Sequence, residues 1–262
     1  RVQHMFWHGR PDIVDGWYMK LDAMIGRIEQ KLVECGKSHA KIVIVSDHGF
    51  SDFNYKVHLN RWLIDHHYLV LHDGKEQRSL QDVDWSRSQA YAIGLNSIYL
   101  NLDGREGQGS VPPGFAERVI DKLREDLLEW RGPDGRIVVQ QAWSQNEAFE
   151  GPLSAYGPDL VVGFSPGYRA SSSTGLGKWE ELAIEPNHDH WRADHCVDAH
   201  TVPGVLFSNQ DLTNYPHPSY RDFPALTIDA APDTSHSAPP PASYGKEDQE
   251  IIEERLKSLG YL

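Results

Sequence analysis

The sequence predicts an α/β fold with a mostly parallel sheet, and two features of its first fifty residues support this. Apolar residues recur every three to four positions between residues 11 and 35, the period of a helix that buries one face. The stretch "KIVIVS", residues 41–46, follows and shows no polar alternation, which is typical of a strand covered on both faces. A helix followed by a buried strand is half of a crossover unit, and crossover units join parallel strands.

The remaining elements are predicted from the same periodicities. The first helix covers residues 11–35, because Pro11 suits a first helical turn and Gly36 ends the pattern. A second amphipathic helix is predicted over residues 114–130. Apolar runs predict further strands at residues 68–71, 97–102, 137–143, 159–164 and 204–208.

Composition and charge restrict the classes of partner. The formal charge of −13 argues against a nucleic-acid-binding surface, which needs an excess of Lys and Arg. It remains compatible with a phosphate-bearing substrate, because bound divalent cations reverse the local sign of the field. No run of about 18 apolar residues occurs, so no membrane span is predicted. The chain starts at Arg1 rather than Met, and we expect a truncated or processed start.

Asp47 and His48 follow the "KIVIVS" strand directly, and Gly49 lets the backbone turn away from it. In open α/β sheets, functional groups gather beyond the carboxyl ends of the strands. A carboxylate beside an imidazole is a partial ligand set for Zn²⁺ or a similar ion. For the pair by itself, a turn cap at Asp47 with a packed His48 is the more frequent outcome, so the metal interpretation needs further ligands.

Further candidates lie between residues 187 and 209. Five metal-binding residue types fall within thirteen positions there, namely His188, His190, His195, Cys196 and His200. We predict His195 as the ligand, with Asp194 beside it as a partner that fixes the tautomer of its ring. The other three histidines are predicted to be solvated, and Cys196 is either a buried packing residue or a thiolate ligand.

Four segments in order along the chain carry a family resemblance, namely "IVIVSDHGF", "LNSIYLNLDGREGQGSV", "GPDLVVGFSPGYRAS" and "ADHCVDAHTVPGVLFSN". Together they resemble the C-terminal half of the type I phosphodiesterase/nucleotide pyrophosphatase family, in the alkaline phosphatase superfamily. The resemblance runs from about residue 1 to residue 209, and the ending "ERLKSLGYL" also fits bacterial members. It implies an alkaline-phosphatase-like sheet with helices on both faces, incomplete at the N-terminus.

The resemblance also implies a pair of divalent metal ions, usually zinc. His4 and His195 match histidines that bind one ion. Asp47 and His48 match the Asp-His pair that binds the other. The remaining carboxylate ligands and a Thr or Ser nucleophile are expected upstream of Arg1, so no catalytic nucleophile is assigned within the chain.

The implied function is that of a metal-dependent hydrolase acting on a small phosphate ester. One alternative is a sulfatase or phosphomutase of the same superfamily. Both classes have the same sheet as the phosphodiesterases and a related metal site. Another is a catalytically silent fragment or a metal-binding interaction domain, because missing ligands weaken metal binding. We expect these 262 residues alone to hydrolyse little or nothing.

The predicted organisation has three parts. Residues 1–209 are the C-terminal portion of the hydrolase domain, residues 210–245 an irregular Pro/Ser-rich wrap, and residues 246–262 a C-terminal helix.

Substrate specificity is predicted to lie in the loop that contains Tyr168, Arg169 and Trp179. Arg169 is expected either to meet a phosphate or carboxylate or to form a surface salt bridge. His58, His66, His67 and His72 are predicted to be structural or surface residues, and His8 an exposed neighbour of His4.

Overall fold

The computed structural model of the protein describes residues 1–74, 77–215 and 217–228. Its helices are α1 (Val2–Phe6), α2 (Pro11–Glu34), α3 (Leu59–Asp65), α4 (Ala116–Glu129), α5 (Gln145–Ala148), α6 (Ser172–Gly175) and α7 (Phe223–Ile228). Its strands are β1 (Val43–Val45), β2 (Ser51–Val57), β3 (Ala90–Ala92), β4 (Ser97–Leu100), β5 (Val139–Ser144), β6 (Leu160–Phe164), β7 (Gly167–Ala170), β8 (Ile184–Pro186), β9 (Ala193–Asp194) and β10 (Leu206–Ser208). Half of the predicted wrap, residues 216 and 229–245, and all of the predicted C-terminal helix at 246–262 fall outside the described residues.

The two predicted amphipathic helices are confirmed as α2 and α4. α2 begins at Pro11, whose missing N–H has no helical partner to lose in the first turn. It ends at Glu34. Just beyond it, Gly36 takes a positive φ of 70°, and the Lys37 N–H donates to the Leu32 carbonyl at 2.7 Å. No helix in the described ranges has the length and apolar character needed to cross a membrane.

The strands and helices form a mixed α/β fold, but the predicted mostly parallel arrangement is not confirmed. Strands β3, β4, β6 and β5 lie side by side in that order and are antiparallel throughout. β2 pairs parallel with β7 and antiparallel with β8 and β9. Short connections explain part of the difference, because a few residues between β3 and β4 allow only antiparallel pairing.

β1 corresponds to the predicted "KIVIVS" strand, but it is not covered on both faces. It pairs antiparallel with β10 in a sheet of two strands. Val43 and Ile44 are half-buried and Val45 is 41% exposed. An apolar run therefore marks the strand correctly without showing what packs on it.

The main hydrophobic core lies between the β3–β4–β6–β5 sheet and helices α3 and α4. α4 packs on β5 and α3 packs on β3. Trp62, Leu123, Ile98 and Phe164 are almost fully buried in this core. The prediction of a strand at residues 68–71 is wrong, because these residues form a loop with an isolated bridge between Leu71 and Val83. Their apolar side chains fill the core from that loop.

Candidate metal centre

Two backbone pairings connect the turn after β1 with the segment after β9. β9 lies antiparallel to the start of β2, with Ser51 opposite Asp194. The Gly49 N–H donates to the Val202 carbonyl at 2.9 Å. The residues that precede β2 and those that follow β9 therefore share one corner of the fold.

α1 is held at the same corner by the segment that leads into β9. The Arg192 N–H donates to the His4 carbonyl at 2.6 Å, and the Arg192 carbonyl accepts from the Phe53 N–H at 2.9 Å. The indole of Trp191 stacks on the His4 ring with centroids 3.8 Å apart. Trp191 is a contact that the sequence prediction did not include, and a lone tryptophan in a histidine-rich loop offers no pattern that would identify it.

The structure brings the four predicted ligands together. The rings of His48 and His195 stack with centroids 3.7 Å apart, and those of His4 and His195 have centroids 5.8 Å apart. The Asp47 Oδ2 atom lies 3.3 Å from His48 Nε2. Asp47 is largely exposed, whereas His48 and His195 are mostly covered. Three imidazoles and one carboxylate thus converge from distant parts of the chain.

Two of these rings are oriented by backbone carbonyls. His4 Nδ1 lies 2.7 Å from the Ala193 carbonyl oxygen, and His48 Nδ1 lies 2.8 Å from the Gly49 carbonyl oxygen. A carbonyl oxygen only accepts, so each Nδ1 carries the proton and each Nε2 keeps its lone pair in the neutral ring. Metal-binding histidines are typically oriented in this way.

The distances at the cluster fit zinc coordination. Zinc–ligand bonds of about 2.0–2.2 Å at tetrahedral angles place neighbouring ligand atoms about 3.3 Å apart. Asp47 Oδ2 and His48 Nε2 have this separation of 3.3 Å. The Asp47 carboxylate and the His48 imidazole therefore fit two neighbouring positions on one such ion.

Protonation at the cluster favours metal binding. Burial lowers the pKa of His4, although the Ala193 carbonyl opposes the shift. Burial also lowers the pKa of His195, and the nearby His48 imidazole adds to this effect. Both rings are therefore neutral near pH 7, which is the form that binds a metal ion.

Asp194 does not have the role that the sequence predicts for it. Its Oδ1 lies 3.8 Å from His195 Nε2, too far for a hydrogen bond that would fix the tautomer. The same oxygen accepts the backbone N–H of His195 at 2.7 Å. Burial raises the pKa of Asp194, but the charge of Arg169 and the Trp191 hydrogen bond outweigh it, so the pKa lies below the ordinary value. Asp194 is a buried carboxylate that holds the backbone beneath the ring.

Within the described residues, the set of three potential ligand atoms that lie close enough together to hold a single ion is not the predicted one. One ligand atom each from Asp194, His195 and Cys196 lie within 4.8 Å of one another. Burial and the nearby Asp194 carboxylate raise the pKa of Cys196 to about 11, so its sulfur is a thiol near pH 7. The carboxylate already accepts several hydrogen bonds. Its protonated thiol and its already hydrogen-bonded carboxylate make this grouping a weak donor set near pH 7.

The other predicted residues lie apart from the cluster. His188, His190 and His200 are exposed, and His8 is half-exposed beside Asp52. In the segment where specificity is predicted to lie, Tyr168 and Trp179 are buried in the core. Arg169 meets a carboxylate, as expected, but the carboxylate belongs to the chain and the ion pair is buried rather than at the surface. Arg169 lies 2.8 Å from the buried Asp194 carboxylate.

Comparison with known proteins finds a match at the level of the family. The sequence model described as type I phosphodiesterase / nucleotide pyrophosphatase matches residues 1–192. That range includes His4, Asp47, His48 and Trp191 and ends three residues before His195. No curated protein matches the chain.

Proposed function

Since the chain belongs to the type I phosphodiesterase / nucleotide pyrophosphatase family, within the alkaline phosphatase superfamily, we propose that it is a metal-dependent phosphoric ester hydrolase. In this proposal His4 and His195 bind one divalent cation, and Asp47 and His48 bind the other. Zinc is the preferred ion, and the substrate is a small phosphate ester. The observation that supports this most strongly is the convergence of three imidazoles and a carboxylate from distant parts of the chain.

The residues of the chain prepare the site for this chemistry. His4 and His48 present Nε2 lone pairs because backbone carbonyls hold their Nδ1 protons. Asp47 supplies negative charge at the exposed rim, where a substrate has access. Two bound cations neutralise phosphate oxygens and lower the pKa of a hydroxyl or water.

The proposal also requires a nucleophile, which it assigns, as the sequence prediction does, to a segment preceding Arg1. Ser46, the hydroxyl residue next to Asp47, accepts a hydrogen bond from the Val205 N–H at 2.9 Å. Across the described ranges, no serine or threonine hydroxyl is hydrogen-bonded to any of the four ligand side chains. Water activated at the metal site is the other chemical option.

Zinc binding by the purified chain tests the ligand assignment. We expect about two ions per chain at saturation in the longest natural form of the polypeptide. We expect weaker zinc binding in the 262-residue chain, and weaker still in His195→Ala and Asp47→Asn, each of which removes a ligand atom. His190→Ala is the matched control, because this exposed histidine lies in the same loop outside the cluster. Unchanged zinc affinity in His195→Ala refutes the site.

Substrate class is tested with three nitrophenyl esters on the longest natural form of the polypeptide. We expect bis(4-nitrophenyl) phosphate to be cleaved faster than 4-nitrophenyl phosphate or 4-nitrophenyl sulfate. Fastest cleavage of the sulfate ester would instead favour the sulfatase alternative.

A further inference from the structure

The segment from Trp191 to Cys196, here called the ligand loop, is organised around one buried carboxylate. Asp194 is 2% exposed. Its Oδ1 accepts the backbone N–H groups of His195 at 2.7 Å and Cys196 at 3.3 Å. Its Oδ2 accepts the indole N–H of Trp191 at 2.8 Å. One side chain therefore holds both ends of the ligand loop.

The ligand loop in turn determines where two of the proposed ligands lie. His195 belongs to it. His4 is hydrogen-bonded to its Ala193 carbonyl at 2.7 Å and stacks on its Trp191 at 3.8 Å. A displacement of Asp194 would therefore move both imidazoles.

A buried carboxylate needs a compensating charge, and Arg169 supplies it. Arg169 Nε lies 2.8 Å from Asp194 Oδ2, and both side chains are largely buried. Arg169 projects from β7, which pairs with β2 at Lys56, so it is anchored on a sheet rather than on a loop. Its guanidinium lies over the Phe53 ring at 5.2 Å, and its Nη1 donates to the Ala170 carbonyl at 2.9 Å. These contacts fix the cation in place.

We propose that Arg169 is a positioning residue for the metal site. Its guanidinium contacts the buried Asp194 carboxylate, Asp194 holds the ligand loop through hydrogen bonds, and the ligand loop holds His195 and His4. The inference rests on the proposed function and assigns a role to a residue outside the ligand set. It predicts that Arg169 determines metal affinity without touching the metal.

The test is zinc affinity, measured on the full chain by competition with a chromogenic chelator. We expect Arg169→Met to weaken zinc binding by about 10–100-fold, the usual effect of losing a residue that orients metal ligands. Arg169→Lys should recover part of this loss, because it restores the charge but not the planar fork. The visible spectrum of the Co²⁺-substituted protein should change in Arg169→Met, since ligand geometry changes as well as affinity.

Arg105→Met is the matched control for a general loss of stability. Arg105 contacts another largely buried carboxylate, Asp159, with Nη1 at 3.0 Å and Nη2 at 2.6 Å, outside the ligand loop. We expect it to lower the unfolding temperature while leaving zinc affinity unchanged. An equal loss of affinity in Arg105→Met, or none in Arg169→Met, overturns the inference.

A double variant keeps the test decisive if Arg169→Met folds poorly. Asp194→Asn removes the negative charge that Arg169 compensates. The asparagine side chain has nearly the same shape, and its oxygen still accepts hydrogen bonds from the N–H groups of the ligand loop. We expect the double variant Arg169→Met/Asp194→Asn to fold. Its loss of zinc-binding free energy should be smaller than the sum of the losses in the two single variants. Additive losses contradict the coupling.

The His195→Ala variant separates a failure of this inference from a failure of the proposed function. If His195→Ala leaves zinc affinity unchanged, the proposed function itself fails. If His195→Ala lowers zinc affinity and Arg169→Met does not, this inference alone is rejected.

Discussion

Gly49 lies between the two hydrogen bonds that hold the turn carrying His48. Its carbonyl orients the His48 ring, and its N–H joins the turn to Val202. A Cβ atom at this position would lie 2.8 Å from the Pro203 carbonyl oxygen. The turn therefore leaves no space for a side chain at residue 49.

We expect Gly49→Ala to lower the free energy of unfolding by about 1–3 kcal/mol, the usual effect of forcing extra volume into a packed site. Zinc affinity should fall as well, because the displaced carbonyl no longer orients His48. Urea denaturation and chelator competition measure the two effects. Gly26→Ala is the control, since its site in α2 is open and alanine favours a helix by about 0.5–1 kcal/mol. If both variants gained stability, the packing around Gly49 would differ from that described.

His58 is a buried histidine that the site does not use. It precedes α3, is 1% exposed, and its ring nitrogens form no hydrogen bond. Its Nε2 lies 3.4 Å from a Glu185 carboxylate oxygen. Burial lowers the pKa of His58, although the Glu185 carboxylate opposes the shift. The predicted structural role of His58 agrees with this position in the core.

This pKa shift predicts a pH dependence of stability. The unfolded chain binds a proton at His58 near the ordinary value of 6.5, whereas the folded chain binds it at a lower pH. The stabilisation is therefore fully present above pH 6.5 and is lost as the pH falls below it, by at most about 1.4 kcal/mol per pH unit. Urea unfolding between pH 7.5 and pH 5 should show a shallower decline in His58→Gln than in the unmodified chain. His4 and His195 contribute equally to both proteins, so identical slopes would exclude His58 as the cause.

At the scale of elements, α2 differs from α4 in what covers its apolar side. Its apolar side chains Trp17, Leu21, Met24 and Ile28 are 44–48% exposed. In α4, Leu123 and Leu127 are fully buried. The same helical periodicity therefore predicts both helices but does not distinguish a packed apolar face from an uncovered one.

This difference predicts unequal effects of the same substitution in the two helices. We expect Leu123→Ala to lower the free energy of unfolding by about 2–5 kcal/mol, because it leaves a cavity in the core. Leu21→Ala should change it by no more than about 0.5 kcal/mol, as is usual for exposed positions. Chemical denaturation of the two variants gives the comparison. A large decrease in the free energy of unfolding of Leu21→Ala would show that another surface, such as a second copy of the chain, covers α2 in solution.

Some elements had a recognisable signal that the prediction did not use. In β2, Phe53, Tyr55 and Val57 alternate with polar residues, which is the pattern of a half-buried strand. β7 lies inside a segment that glycine and serine mark as a connector, yet Tyr168 within it is fully buried. Local composition indicates a loop there, and pairing with β2 makes the segment a strand.

At the scale of the whole molecule, the described residues include the four proposed metal ligands, and none of their serine or threonine hydroxyls is hydrogen-bonded to these side chains. We expect the 262-residue chain to bind zinc yet to cleave bis(4-nitrophenyl) phosphate far more slowly than an N-terminally longer natural form. Steady-state rates at saturating zinc measure this difference. Robust hydrolysis by the 262-residue chain, abolished in His195→Ala, would mean that a water or a residue within it serves as the nucleophile.

The amino-acid sequence by itself determined the long helices, the strand that leads into Asp47 and His48, and the family, because these depend on local periodicity and short motifs. Tertiary structure decided that the sheets are largely antiparallel, that β1 has an uncovered face, and that Asp194 holds a backbone loop instead of an imidazole. It also decided that His4 and His195 lie beside His48. Strand register and packing connect residues that are remote along the chain, and no local pattern records which of them will meet.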